Sequence, residues 1–261
     1  MSYAKKSLGQ NYLIDLNIIK KIVNLVEVCN KNILEIGPGR GALTEEIIKK
    51  KPKSLILIEK DDKLASELRL KYKKNKKIII YNKDILKFNF EEKIKNNSII
   101  FGNLPYNISS QILAKIIKFK DSPFKYSGLI FMFQKELAER IVGNFNTAKY
   151  GRLSILTNYK LKIIKKFNVS PTCFFPVPKV DSTVLFFKPH KNFLFKIKNL
   201  ENLEKITNIL FSNKRKMINK NIKKILNKNQ LSLIKNLNLS SRPSDLQPDI
   251  YYKITELFEK S

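Results

Sequence analysis

The chain has 261 residues, enough for one large domain or for a main domain with a smaller companion. Hydrophobic residues make up 43% and aromatics 10%, which excludes global disorder, and no apolar run reaches the roughly 18 residues of a bilayer-spanning helix. Lys and Arg number 51 against 22 Asp and Glu, and the resulting net charge of +29 suits a polyanionic partner such as nucleic acid.

Residues 1–15 hold no apolar stretch of the signal-peptide kind, so the expectation is a cytoplasmic protein with no membrane association. Asp15 is a good N-cap, and Ile18, Ile19, Ile22, Val23 and Val26 follow it at helical spacing. Short apolar runs then recur at Ile33–Ile36, Leu55–Ile58, Ile78–Tyr81, Ile99–Phe101 and Leu129–Phe133. Helical stretches at Leu43–Lys50, Lys63–Tyr72, Ile112–Lys118 and Leu137–Val142 separate most of them. Alternation of this kind predicts an α/β fold, a mostly parallel sheet with helices on both faces. Strand-like runs around Leu161–Val169 and Thr183–Phe187 flank the proline-rich Pro171–Pro178 and suggest an antiparallel pair at one sheet edge.

The texture changes after Pro189. Residues 190–261 contain no Gly, and their apolar residues fall at helical spacing. Ile218, Ile222, Ile225 and Leu226 share one face of a segment rich in Lys and Arg, including Lys214, Arg215, Lys216, Lys220, Lys223 and Lys224. A main domain over residues 1–189 and a small all-helical domain over 190–261 are therefore predicted. Of the 51 basic residues 45 are Lys, and Asn and Ile are also abundant. An AT-rich coding sequence produces that bias without any selection for binding, yet on balance the charge alone still favours nucleic acid as the partner.

Chemistry is narrowed by what is scarce. His190 is the one histidine, and Cys29 and Cys173 stand far apart, so no zinc cluster and no Ser-His or Cys-His pair can be built. The segment Glu35-Ile36-Gly37-Pro38-Gly39-Arg40-Gly41-Ala42 reads as a strand end, a glycine-rich turn and a helix start. Gly37 and Gly39 with Ala42 satisfy a loose dinucleotide fingerprint, while Gly37, Gly39 and Gly41 have the form usual in S-adenosylmethionine enzymes. Glu59 ends the next strand, where a carboxylate can take both ribose hydroxyls, and Asp84 ends the one after, where it can take an adenine amine. These favour a nucleoside without distinguishing the two cofactors.

The strand after that ends in Asn103-Leu104-Pro105-Tyr106, the form of motif found in enzymes that methylate the amino group of adenine. An adenine amine is a poor nucleophile because its lone pair is delocalised into the ring. The Asn103 oxygen and the Leu104 carbonyl can accept its two N–H groups and favour a more tetrahedral nitrogen. Pro105 stiffens the turn, and Tyr106 offers a stacking face to a base drawn out of its helix.

With these residues the chain resembles the ribosomal RNA adenine dimethyltransferases of the KsgA (RsmA) type over essentially its whole length. The resemblance is carried by Lys6–Leu13, Gly37–Thr44, Phe101–Ser109, Gln134–Glu136, Tyr150–Ser154, Phe174–Ser182 and Lys214–Lys216. It implies a Rossmann-like class I methyltransferase sheet, with S-adenosylmethionine held by Asn11, Leu13, Gly37, Glu59, Asp84 and Asn103 and no metal. Phe174 would face Tyr106 across the target base. The implied substrate is a pair of adjacent adenosines in the hairpin near the 3′ end of 16S rRNA, dimethylated late in assembly of the 30S subunit. Nothing in the sequence calls for an obligate dimer, so a monomer is expected. A large-subunit rRNA methyltransferase of the macrolide-resistance type and a non-catalytic assembly factor are the alternatives. Phe175 and Val177 depart from the fuller proline run that the family often has there.

Overall fold

The structure, a computed structural model, describes residues 10–119, 125–191 and 193–260; residues 6–9 of the first resemblance segment lie outside this set. Two compact units divide the chain, one of residues 1–138 with 163–189 and the other of 139–162 with 190–261.

Among the described residues, the first unit is organised on a seven-stranded sheet. Its strands are β2 (Asn32–Ile36), β3 (Ser54–Glu59), β4 (Ile78–Asn82), β5 (Ser98–Asn103), β6 (Tyr126–Gln134), β7 (Leu161–Val169) and β9 (Ser182–Pro189), in the order β4-β3-β2-β5-β6-β9-β7. Neighbours from β4 to β6 run parallel, and β9 returns antiparallel to β6 with Gln134 opposite Ser182. β2, β3 and β5 are nearly continuous apolar runs because helices cover both of their faces. β7 closes one edge and carries the exposed Lys162, Lys165 and Lys166, charges that oppose pairing with another chain.

Helices α1 (Leu16–Val23) and α2 (Ala42–Lys49) contribute Ile19, Ile22, Val23, Leu43 and Ile47 to a core shared with Ile33, Leu55, Leu57, Ile99 and Phe101 of the sheet. Asp15 caps α1 as expected, accepting from the N–H groups of Asn17 and Ile18 at 2.9 Å. Asp61 does the same for α3 (Asp62–Tyr72). α4 (Ser109–Ile117) follows the turn after β5, and α5 (Lys135–Ile141) follows β6. A two-residue strand β1 (Tyr12–Leu13) pairs antiparallel with β8 (Phe174–Phe175), a ribbon too short to leave a periodic signal in sequence.

The second unit is helical, with α7 (Leu200–Phe211), α8 (Asn219–Ile222), α9 (Lys228–Ser232) and α10 (Pro248–Phe258). It also contains α6 (Arg152–Lys160), which the sequence reading left in the first domain. The reason is packing: α6 lies against α7 and α10, and the Tyr252 hydroxyl donates to the Ile155 carbonyl at 2.9 Å. Ile218, Ile222 and Leu226 are buried here while Lys214, Arg215, Lys216, Lys220, Lys223 and Lys224 are exposed, as their spacing predicts.

Candidate active site

Strand order reverses between β2 and β5, and at such a switch point the loops diverge and leave a crevice at the carboxyl ends of the strands. A cavity of about 420 Å³ lies there, lined by Asn11, Leu13, Gly37, Glu59, Asp84 and the Asn103–Tyr106 turn among others. That is the size range of sites for small organic ligands.

The glycine turn closes one wall. Gly39 has φ +58°, and a Cβ added there would stand 3.2 Å from the Tyr12 ring, so its lack of side chain lets the segment before α1 cross directly over the turn. The Arg40 guanidinium lies 4.5 Å from the centre of the same ring, and the Tyr12 hydroxyl donates to Gln10 Oε1 at 2.7 Å. Gln10 in turn donates to Asp61 at 3.3 Å. Sequence reading gave Tyr12, Arg40 and Gln10 no role, because the Tyr12–Arg40 and Gln10–Asp61 contacts join segments far apart in the chain.

Of the carboxyl groups along the cavity, Glu59, Glu35 and Asp84 are in different states. Glu59 is buried and fastens the turn: its Oε2 accepts from Gly39 N–H at 3.0 Å and its Oε1 from Asp61 N–H at 2.9 Å. Burial raises its pKa above the usual carboxylate range, against the pull of these backbone donors. Glu35 is still more enclosed, accepts from Thr44 Oγ1, and is pushed up to about 8 by burial. Asp84 has its pKa lowered, chiefly by the Lys60 ammonium 2.9 Å away. Lys115 of α4 donates to the carbonyls of Ile85, Leu86 and Phe88 at 2.8–3.0 Å and so pins the loop that follows Asp84.

The turn that ends β5 lines the same cavity. Gly102 gives the turn room, since a Cβ would meet the end of the Leu104 side chain at 2.6 Å and the Ile36 carbonyl and Phe131 ring at 3.3 Å. Asn103 donates its Nδ2 to the Asn11 carbonyl at 2.9 Å, and none of the described residues donates to its Oδ1. A carbonyl can only accept, so this bond fixes which way the amide points and leaves the oxygen as an acceptor on a residue that lines the cavity. Tyr106 lines the same cavity, with its hydroxyl 2.6 Å from that of Ser182.

The family model for ribosomal RNA adenine dimethylase matches residues 1–260. The chain belongs to the ribosomal RNA adenine dimethylase family. It is 48% identical to the ribosomal RNA small subunit methyltransferase A of Pelagibacter ubique, over 98% of this chain and 97% of that protein. It is 40% identical to the protein of the same name from Malacoplasma penetrans, over 97% and 91%. The crystal structure of a dimethyladenosine transferase from Plasmodium falciparum superposes with a TM-score of 0.76 at 27% identity, covering 95% of this chain and 97% of that one.

Of the residues expected from the Asn103–Tyr106 motif and from the dimethylase resemblance, Asn11, Leu13, Gly37, Glu59, Asp84, Asn103, Leu104, Pro105 and Tyr106 all line this cavity. Phe174 does not. It pairs with Leu13 across the β1–β8 ribbon, is 1% exposed, and packs in the core with Ile19, Ile22 and Val184. Strand alternation turns its neighbour the other way, and Phe175 is 57% exposed. The expected face-to-face arrangement of Phe174 with Tyr106 is therefore corrected: Phe174 supports the ribbon from the core side.

Proposed function

We propose that this dimethylase modifies the exocyclic amines of two adjacent adenosines in the hairpin near the 3′ end of 16S rRNA, in the immature 30S subunit. It is an S-adenosylmethionine-dependent rRNA adenine dimethyltransferase, and its substrate is small-subunit rRNA. The observation that carries the reading is the sharing of one cavity by the Asn103–Tyr106 turn, the glycine turn, Glu59 and Asp84.

The residues present suit S-adenosylmethionine. The left-handed glycine turn leaves room for close approach to its backbone, and the carboxylates at two successive strand ends match hydroxyl and amine donors. Glu59 would hold the ribose, Asp84 the adenine amine, and Asn11, Leu13 and Gly37 would line the rest of the donor site. When bound, the donor supplies an electrophilic methyl group. Asn103 Oδ1 and the Leu104 carbonyl accept the two N–H groups of the target amine and hold its lone pair toward that methyl. Pro105 stiffens the turn, and Tyr106 stacks on the base. Loss of the first N–H by methylation leaves one donor, so the second transfer proceeds with one of the two acceptors engaged.

The exposed Lys214–Lys216 cluster of the helical unit supplies phosphate contacts, which give affinity without reading sequence. The enzyme is read as a cytoplasmic monomer. The large-subunit alternative has less support, because both curated relatives carry the small-subunit name. A non-catalytic factor would be free to lose donor and amine contacts, yet Asn11, Glu59, Asp84 and Asn103 all stand.

The test is incubation with labelled methyl donor and small subunits that lack these methyl groups, followed by mapping of modified bases. Label on two neighbouring adenines near the 3′ end supports the reading. Label in large-subunit RNA, or none at all, overturns it.

A further inference from the structure

Ser182 is the first residue of β9, is fully buried, and stands opposite Gln134 at the end of β6. The chain beside it is fastened as well. The Lys135 N–H donates to the Asp181 carbonyl at 2.9 Å, and the Lys135 ammonium lies 3.6 Å from the Asp181 carboxylate. Its hydroxyl is thus held by the sheet itself. Tyr106 has no such support from regular structure, since it stands on a turn between β5 and α4. Among the described residues, the 2.6 Å bond to Ser182 is the hydrogen bond that holds the far end of its ring.

We propose that Ser182 is a positioning residue for methyl transfer: it anchors the Tyr106 phenol to the sheet, so that the ring is already oriented when the target adenine arrives. The inference rests on the reading of Tyr106 as the residue that stacks on the base. A phenol side chain turns about two bonds, and tying its distal oxygen to an immobile hydroxyl removes most of that freedom. An untied ring must instead be ordered each time a base is seated, and the cost falls on the bound, reactive arrangement. Ser182 touches neither donor nor base in this account, and acts through Tyr106 alone.

The experiment is a double-mutant cycle read by single-turnover methylation of small subunits lacking the methyl groups, at saturating enzyme and donor. Ser182→Ala and Tyr106→Phe each remove the same hydrogen bond, the second while keeping the ring. Each is expected to slow the reaction about three- to tenfold, the double variant no more than the slower single one, with donor affinity within twofold of wild type. A wild-type rate for Ser182→Ala overturns the proposal, and so do effects that multiply in the double variant, which would make Ser182 a structural residue of β9. Should Ser182→Ala fail to fold, Tyr106→Phe decides: slowing in the stated range upholds the anchor, and a wild-type rate removes it. Tyr106→Ala separates the two levels of the argument. An unimpaired rate there sinks the stacking role itself, whereas a slow Tyr106→Ala beside a fast Ser182→Ala sinks the anchor alone.

Discussion

The side-chain amide of Asn103 donates to the main-chain carbonyl of Asn11 at 2.9 Å, joining positions 92 residues apart. One bond thereby fixes the Asn103 amide and ties the segment before α1 to the end of β5. In the proposed function, Asn103→Ala removes an acceptor whose hydrogen bond strengthens as the target nitrogen turns tetrahedral, at a cost of about 3 kcal/mol or roughly 100-fold in rate. Single-turnover methylation at saturating donor and enzyme should show that loss, with RNA affinity nearly unchanged. A rate within threefold of wild type would remove Asn103 from the chemical step.

Glu59 serves the turn and, in the proposed function, the donor. Glu59→Ala forfeits two ribose hydrogen bonds to a charged acceptor and leaves the Gly39 and Asp61 N–H groups without their partner. The loss is on the order of 2–4 kcal/mol, so S-adenosylhomocysteine should bind roughly 30-fold or more weakly by calorimetry. Affinity within threefold of wild type would contradict the assignment.

Glu35 gives stability a pH dependence of unusual sign for a carboxyl group. Its native pKa is pushed up from 4.5 to about 8, so above pH 4.5 the folded state keeps a proton that the unfolded chain has released. Stability from this group is fully present below pH 4.5 and is lost as pH rises toward 8, by at most ~1.4 kcal/mol per unit. Glu35→Gln carries no such proton. Urea unfolding at pH 5, 6 and 7 should therefore show the variant gaining on wild type by about 2–3 kcal/mol across the range. Parallel pH curves would show that Glu35 titrates normally.

Phe174 and Phe175 should differ sharply despite being neighbours of one type. Phe174→Ala empties a core position and should cost about 3–5 kcal/mol in chemical unfolding. Phe175→Ala, at a site 57% exposed, should stay within about 0.5 kcal/mol. Equal costs would contradict the alternation that the β1–β8 ribbon imposes.

Much of the fold was legible in the chain because its signals are local. Apolar runs ending at Ile36, Ile58, Tyr81, Phe101 and Phe133 became β2 to β6 with boundaries moved by a residue or a few. Parallel strands covered on both faces must be apolar throughout, and that leaves an unmistakable trace. The glycine turn and the Asn103–Tyr106 turn were equally readable as contiguous motifs, and Glu59 and Asp84 as acids that end or closely follow an apolar run. What required the tertiary structure was every relation between segments. Phe174 and Phe175 were indistinguishable until pairing with Leu13 and Tyr12 set which ring faces the core. Residues 139–162 joined the helical unit because α6 finds its apolar partners there, on helices α7 and α10 that lie far along the chain. The elevated pKa of Glu35 comes from its burial, and the anchoring of Tyr106 by Ser182 comes from a strand 76 residues away. Burial and long-range hydrogen bonds depend on which surfaces meet after the chain has folded, and no local pattern of residues encodes that meeting by itself.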